Sequence, residues 1–156
     1  MYEKFGQFID GKWSPSSNNE TYEVINPATE EVLGHASKAT PADVDRALKS
    51  AEQGLQIWKK TPPWQRSYVL RKIADKMREK KDILAKWMTL ENGKPLAEGV
   101  GETNGAADIF EWNAEETKRI FGQTIESRFE DTRVHVYYQP VGVVAALSPW
   151  NFPLIL

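Results

Sequence analysis

Near the end of the sequence, Ser148-Pro149-Trp150-Asn151-Phe152-Pro153 follows the apolar stretch Val143-Val144-Ala145-Ala146-Leu147. A run that is apolar on both faces is expected of a strand inside a parallel sheet covered by helices, and Ser148-Pro149 stops it abruptly. In open α/β sheets, ligands bind beyond the carboxyl ends of the strands, so Trp150 and Asn151 would stand at a functional rim. A side-chain amide donates hydrogen bonds without titrating at neutral pH, which suits Asn151 to stabilising charge that develops on a substrate oxygen. The same position suits an asparagine that caps the next turn, helped by Pro153. The residues by themselves leave both roles open.

Other chemistry is scarce. The sequence contains no cysteine, so these residues supply no disulfide, thiolate metal site or thiol nucleophile. His35 and His135 lie 100 positions apart and read as ordinary strand or loop side chains. Gly99, Gly101 and Gly105 miss the spacing of the dinucleotide fingerprint, and no strand precedes them. No metal site is expected.

The elements that must position Asn151 begin with strands. Phe8-Ile9-Asp10-Gly11-Lys12-Trp13 predicts a tight hairpin with a type I′ turn at Asp-Gly, and Pro15-Ser16-Ser17-Asn18-Asn19 predicts a loop. Residues 22–25 and 31–36 read as short strands joined by Asn26-Pro27-Ala28-Thr29, where Pro27 disfavours helix at Asn26. At Thr40 the period changes: an N-cap, then Pro41 and Asp43 in the first turn, then Val44, Ala47, Leu48, Ala51, Leu55 and Trp58 at helical spacing. This predicts a helix over about 41–59. Thr61-Pro62-Pro63 breaks it, and a second helix follows with stripe Leu70, Ile73, Ala74 and Met77, its charged Arg71, Lys72, Asp75, Lys76 and Arg78 forming a solvated face. A third, shorter helix ends at Asn92-Gly93, Gly93 being its left-handed terminator. From 96 to 121, Thr103, Ala106, Ala107, Phe110, Ala114, Thr117 and Phe121 keep helical register and Gly122 closes it, with the glycines at 99, 101 and 105 allowing close packing. After a polar loop, residues 134–138 alternate as a half-buried strand. Glu91 and Glu102 read as exposed or end-of-helix carboxylates.

A chain of 156 residues with 40% hydrophobic content supports one ordinary globular domain with a real core. Its 20 basic and 22 acidic residues give a net charge of -2 and are spread along the sequence, which excludes the basic footprint of a nucleic-acid partner. No apolar run approaches the roughly 20 residues of a membrane helix, and Met1, Tyr2, Glu3 and Lys4 lack the apolar stretch of a secretory signal. A soluble, cytoplasmic protein with no membrane partner is expected.

Residues 140–153, Pro-Val-Gly-Val-Val-Ala-Ala-Leu-Ser-Pro-Trp-Asn-Phe-Pro, resemble the motif that leads into the active site of aldehyde dehydrogenases. Agreement runs across nearly the whole chain: Ile25-Asn26-Pro27-Ala28-Thr29, Ala42-Asp43-Val44-Asp45-Arg46-Ala47, Thr61-Pro62-Pro63, Glu91-Asn92-Gly93-Lys94-Pro95-Leu96, and residues 115–125. The resemblance implies an α/β fold, the N-terminal part of the aldehyde dehydrogenase architecture. Residues 1–133 would be the hairpin and helical part of the cofactor-binding domain, 134–141 a strand of the oligomerisation arm, and 142–156 the first strand and active-site turn of an incomplete Rossmann-like parallel sheet. It also implies thiolate attack on an aldehyde, hydride transfer to NAD or NADP, and thioester hydrolysis. In that scheme Asn151 stabilises the oxyanion, Ser148, Pro149, Trp150 and Asn151 line the nicotinamide-ribose side of the cofactor cleft, and Phe152 stands near the substrate tunnel. The family's cysteine and general-base glutamate fall downstream of the position matching Asn151, so this chain alone is expected to be inactive. Glu111-Trp112-Asn113-Ala114-Glu115-Glu116, with Lys118-Arg119, resembles the branch that oxidises semialdehydes, such as succinate-semialdehyde dehydrogenases. A homodimer or homotetramer is implied for the full-length protein. The competing expectation is a stand-alone, non-catalytic interaction module derived from the family, pairing through the strand at 134–138.

Overall fold

Asp-Gly at the tip of the first hairpin does what its chemistry dictates: Asp10 and Gly11 both take positive φ, 52° and 72°, as a type I′ turn requires. The computed structural model describes residues 6–156; Met1, Tyr2, Glu3 and Lys4, read above for a secretory signal, lie outside them. Strand β1 (Gln7–Ile9) pairs antiparallel with β2 (Lys12–Ser14), placing Phe8 opposite Trp13 with ring centroids 5.1 Å apart. Strands β3 (Thr21–Ile25) and β4 (Val32–Ser37) form a second antiparallel pair with an irregularity between Val24 and Ile25. The turn joining them is held by the Ala28 amide donating to Asn26 Oδ1 at 2.9 Å.

Helix α1 (Pro41–Trp58) opens with a full capping box, Thr40 and Asp43 each satisfying the other's backbone amide. Asp43 does more than cap. Only 1% exposed, its carboxylate accepts from the Thr40 amide at 2.9 Å, the Ser17 amide at 3.1 Å, Arg46 Nη2 at 2.7 Å and Gln7 Nε2 at 3.3 Å. One side chain therefore ties the first hairpin, the following loop and the helix together. The Thr40 amide, then the Ser17 amide and the Arg46 guanidinium, hold this carboxyl well below the usual carboxylate range against the opposing effect of burial. The apolar stripe of α1 is less well covered: Val44 and Leu48 remain half exposed.

Helices α2 (Pro63–Glu79), α3 (Lys81–Asn92) and α4 (Leu96–Glu116) form the core, with α4 packed on both others. Small side chains set the spacing. Ala74, Ala85, Thr103, Ala106, Ala107 and Ala114 are buried, and a Cβ built on Gly99 would lie 3.0 Å from the Ala85 carbonyl oxygen. The charges of α2 are only partly a solvated face, because Arg78 reaches Asp108 and Glu111 on α4 at 2.7 Å and Arg71 pairs with Glu111 and Glu115. They form a polar seam beside the small-residue contact.

The expected ends of two elements, the helix to 121 and the strand to 138, need correction here. Helix α4 stops at Glu116, short of 121, and Phe121 is 68% exposed; with no element among the described residues covering it, that apolar residue gives the helix no reason to continue. Gly122 instead leads into an unforeseen strand, β5 (Gln123–Glu126), where a Cβ would sit 2.5 Å from the Val136 carbonyl oxygen. Strand β5 pairs antiparallel with β6 (Arg133–Val136), which ends before Tyr137 and Tyr138. Residues 143–147 make no strand ladder with any described residue, and all pairings among the described residues are antiparallel. A central parallel strand exists only through its two neighbours, and here Leu147 stands 94% exposed. No helix among the described residues is long and apolar enough to cross a membrane.

Candidate functional site

The end of α3 builds the seat of the closing segment. Gly93 adopts φ +80° and caps the helix through its amide to the Thr89 carbonyl. The chain then turns through Lys94-Pro95 into α4, which leaves Asn92 and Lys94 facing residues 150–152. Asn92 Nδ2 donates to the Trp150 carbonyl at 2.9 Å, and Lys94 Nζ donates to the Asn151 carbonyl at 2.8 Å. Lys94 Nζ also lies 4.4 Å from the centroid of the Phe152 ring, within cation–π range.

Beneath these contacts Lys94 and Glu102 form an ion pair, and the two residues are only 8% and 5% exposed. The second oxygen of that carboxylate, Oε1, accepts the Leu154 amide at 2.9 Å. Ile155 packs over Gly105, where a Cβ would meet its Cδ1 at 2.9 Å. Segment 150–155 is thus fastened to α3 and α4 by polar contacts, with Ile155 against Gly105 at its far end.

Asn151 itself is exposed, and its side-chain amide makes no hydrogen bond with the described residues. It does not cap the following turn; the backbone of that turn is held by Lys94 and Glu102 instead. Ser148, Pro149, Trp150 and Phe152 are exposed beside it. A cleft of about 320 Å³ runs between α3 and this segment, lined by Trp87, Met88, Glu91, Trp150, Pro153 and Leu154 among others. Desolvation pushes the Glu91 carboxyl above its ordinary range. A larger cleft of about 570 Å³ lies elsewhere, between Leu55, Trp58, Arg66, Phe110, Thr117 and Ile120, and includes none of residues 148–153.

The five candidate residues from the sequence thus fall on one exposed turn, while Lys94 and Glu102 beneath it went unforeseen. Glu102 belongs to no exposed or terminal position. It falls in the helical phase of Gly99, Thr103 and Ala106, so the stripe that marked those residues as buried also marks Glu102. Lys94 escapes helical spacing because it precedes α4, and only the turn at Gly93 brings it back over the helix. Among the described residues no cluster of His, Cys, Asp and Glu is arranged to hold a metal ion.

The profile of the aldehyde dehydrogenase family matches residues 13–156, and the chain belongs to that family. It is 46% identical over 146 residues to glutarate-semialdehyde dehydrogenase of Pseudomonas putida, covering 94% of this chain and 30% of that protein. Against the NADP(+)-linked succinate-semialdehyde dehydrogenase of Escherichia coli it is 43% identical over 145 residues, covering 93% of this chain and 30% of the relative. An NADP-dependent enzyme of Escherichia coli superposes with a TM-score of 0.90 at 43% identity, over 94% of this chain and 31% of that one. Betaine aldehyde dehydrogenase of Staphylococcus aureus, solved with NAD+, superposes with a TM-score of 0.91 at 34% identity, over 97% of this chain and 31% of its own. The α/β architecture is therefore that of the N-terminal part of an aldehyde dehydrogenase. The chain spans about 30% of the length of the curated relatives it matches.

Proposed function

We propose that this chain is the opening segment of an NAD- or NADP-dependent enzyme that oxidises a semialdehyde to the carboxylic acid, and that Asn151 donates its side-chain amide to the oxyanion. The observation that carries the reading is the state of Asn151: its backbone is fastened from below while its amide stays exposed and unengaged. A donor that is held in place, undiverted by a cap, meets developing charge without reorganisation. The semialdehyde assignment rests on similarity to the glutarate- and succinate-semialdehyde dehydrogenases.

Ser148, Pro149 and Trp150 fit a role against the nicotinamide-ribose portion of the cofactor, since they are exposed and take part in no strand ladder with the described residues, only the Trp150 carbonyl being engaged, by Asn92. The cofactor supplies the hydride acceptor. Phe152, edged by Lys94, contributes an aromatic wall on the substrate side. The sequence has no cysteine, so this reading assigns the nucleophile, and the general base that serves it, to the remainder of the protein and expects the 156-residue chain alone to turn over no aldehyde. The exposed apolar residues Val144 and Leu147 support a parallel strand whose neighbours come from the remainder of the protein, which works in the cytoplasm as a homodimer or homotetramer.

In the full-length protein, Asn151→Ala is expected to lower kcat about 10²- to 10³-fold, the loss typical of one oxyanion donor, with thermal unfolding unchanged. A variant that keeps wild-type kcat with a semialdehyde sinks the assignment.

A further inference from the structure

Lys94 and Glu102 are buried under the candidate turn, bonded to its backbone, and helix packing gives no reason for burying two charges there. A buried ion pair gains little net stability over an apolar pair of similar volume, because both charges must be desolvated. What distinguishes this one is its remaining bonds. Lys94 Nζ holds the Asn151 carbonyl at 2.8 Å and Glu102 Oε1 holds the Leu154 amide at 2.9 Å.

In a simple four-residue turn the carbonyl of the first residue bonds to the amide of the fourth. Across Asn151-Phe152-Pro153-Leu154 that direct bond is not made; the carbonyl goes to the lysine and the amide to the glutamate, so the ion pair bridges the two ends. The turn is therefore spaced and oriented by side chains anchored at both ends of the Lys94-Pro95-α4 junction. Asn92 adds a third strap at the Trp150 carbonyl, one residue before the asparagine. With the backbone held on both sides, the Asn151 side chain has a fixed base from which to point.

We propose that Lys94 and Glu102 are positioning residues, a buried charged clamp that sets the aim of the Asn151 amide toward the aldehyde oxygen. This rests on the oxyanion reading of Asn151, and it adds a pair of residues whose contribution to rate is geometric. A misplacement of about 1 Å at a reacting centre costs on the order of a hundredfold in rate, so a clamp of this kind should act on kcat while leaving substrate affinity largely alone.

The test uses the full-length enzyme with Lys94→Met/Glu102→Gln, which removes both charges together and leaves neither buried alone. The expected result is a kcat at least about tenfold lower, an aldehyde KM within about twofold of wild type, and faster hydrogen exchange at the Leu154 amide. Lys94→Arg, which keeps the charge and the donor, should restore most of the lost kcat. If the charge-free pair does not fold, Glu102→Asp decides the matter. It keeps both charges but withdraws the carboxylate from Leu154, and should lower kcat severalfold and unprotect that amide at an unchanged melting temperature. Wild-type kcat in a folded double variant, or in Glu102→Asp with the Leu154 amide exposed, overturns the clamp. Asn151→Ala separates the two proposals: wild-type kcat there, with kcat lost in the clamp variants, would remove the oxyanion role and the clamp's purpose with it, whereas a large loss there beside an indifferent clamp removes only the clamp.

Discussion

Helices α2, α3 and α4 and the closing stretch 141–156 are both rich in apolar residues, but they are satisfied in different ways. In the helical layer small side chains meet face to face, Gly99 against Ala85 and the alanines of α4 against their neighbours, so the contact between helices is closed even though Trp64, Ile83, Leu96 and Trp112 stay exposed on its outer faces. In the closing stretch Val141, Val144, Leu147 and Trp150 all remain open to solvent, and polar contacts from Asn92, Lys94 and Glu102 attach the turn to the layer. A closed contact between helices makes a scaffold; an apolar stretch with no such contact marks where further chain is expected to pack. The candidate chemistry sits at the border between the two.

That contrast can be broken at the border first. Lys94→Met leaves the Glu102 carboxylate buried without its partner, and should destabilise the layer by up to about 3–5 kcal/mol in urea unfolding. A cost below about 1 kcal/mol would mean that the closing turn detaches to hydrate the carboxylate, and that the two regions are energetically separate. Inside the layer, Gly99→Leu forces a side chain into the Ala85 backbone and should cost about 1–3 kcal/mol, the usual effect of overpacking; the melting temperature of the variant reads it directly. At the far end, Thr40→Ala removes one half of the α1 capping box and should cost about 1 kcal/mol, measured by the same denaturation.

The contribution of Asp43 changes with pH only in acid. Its carboxyl is held below the ordinary range in the folded chain, so the stabilisation it provides is fully present above its unfolded pKa of about 4 and is lost as pH falls below that value. Unfolding midpoints followed downward from neutral pH should show this loss, and Asp43→Asn should flatten that part of the profile. An unchanged acid profile in the variant would show that the hairpin and α1 are joined by something other than this carboxylate.

Much of this division was legible beforehand. Asp10-Gly11, Thr40-Pro41 with Asp43, and Asn92-Gly93 each specify backbone geometry through their own local chemistry, and each turn or cap lies where its residues put it. The helix over 96–121 ran too long on paper because Phe121 continues the stripe; periodicity records which residues are apolar, and only a neighbouring element decides whether they are covered. Strand β5 was missed for a related reason, since Gln123-Thr124-Ile125-Glu126 carries little signal until β6 lies opposite.

For the site, the sequence by itself determined that an untitratable amide at Asn151 follows an apolar run and a Ser-Pro stop, and its motifs name the family. Tertiary structure alone decided what holds the backbone that carries that amide. Lys94 and Glu102 are eight positions apart with a helix start between them, so no local period links them, and Leu154 is 52 positions beyond Glu102. Contacts of such separation exist only once α3, the Gly93 turn and α4 are folded, because backbone reversal is what brings the lysine, the glutamate and the asparagine turn within hydrogen-bonding distance.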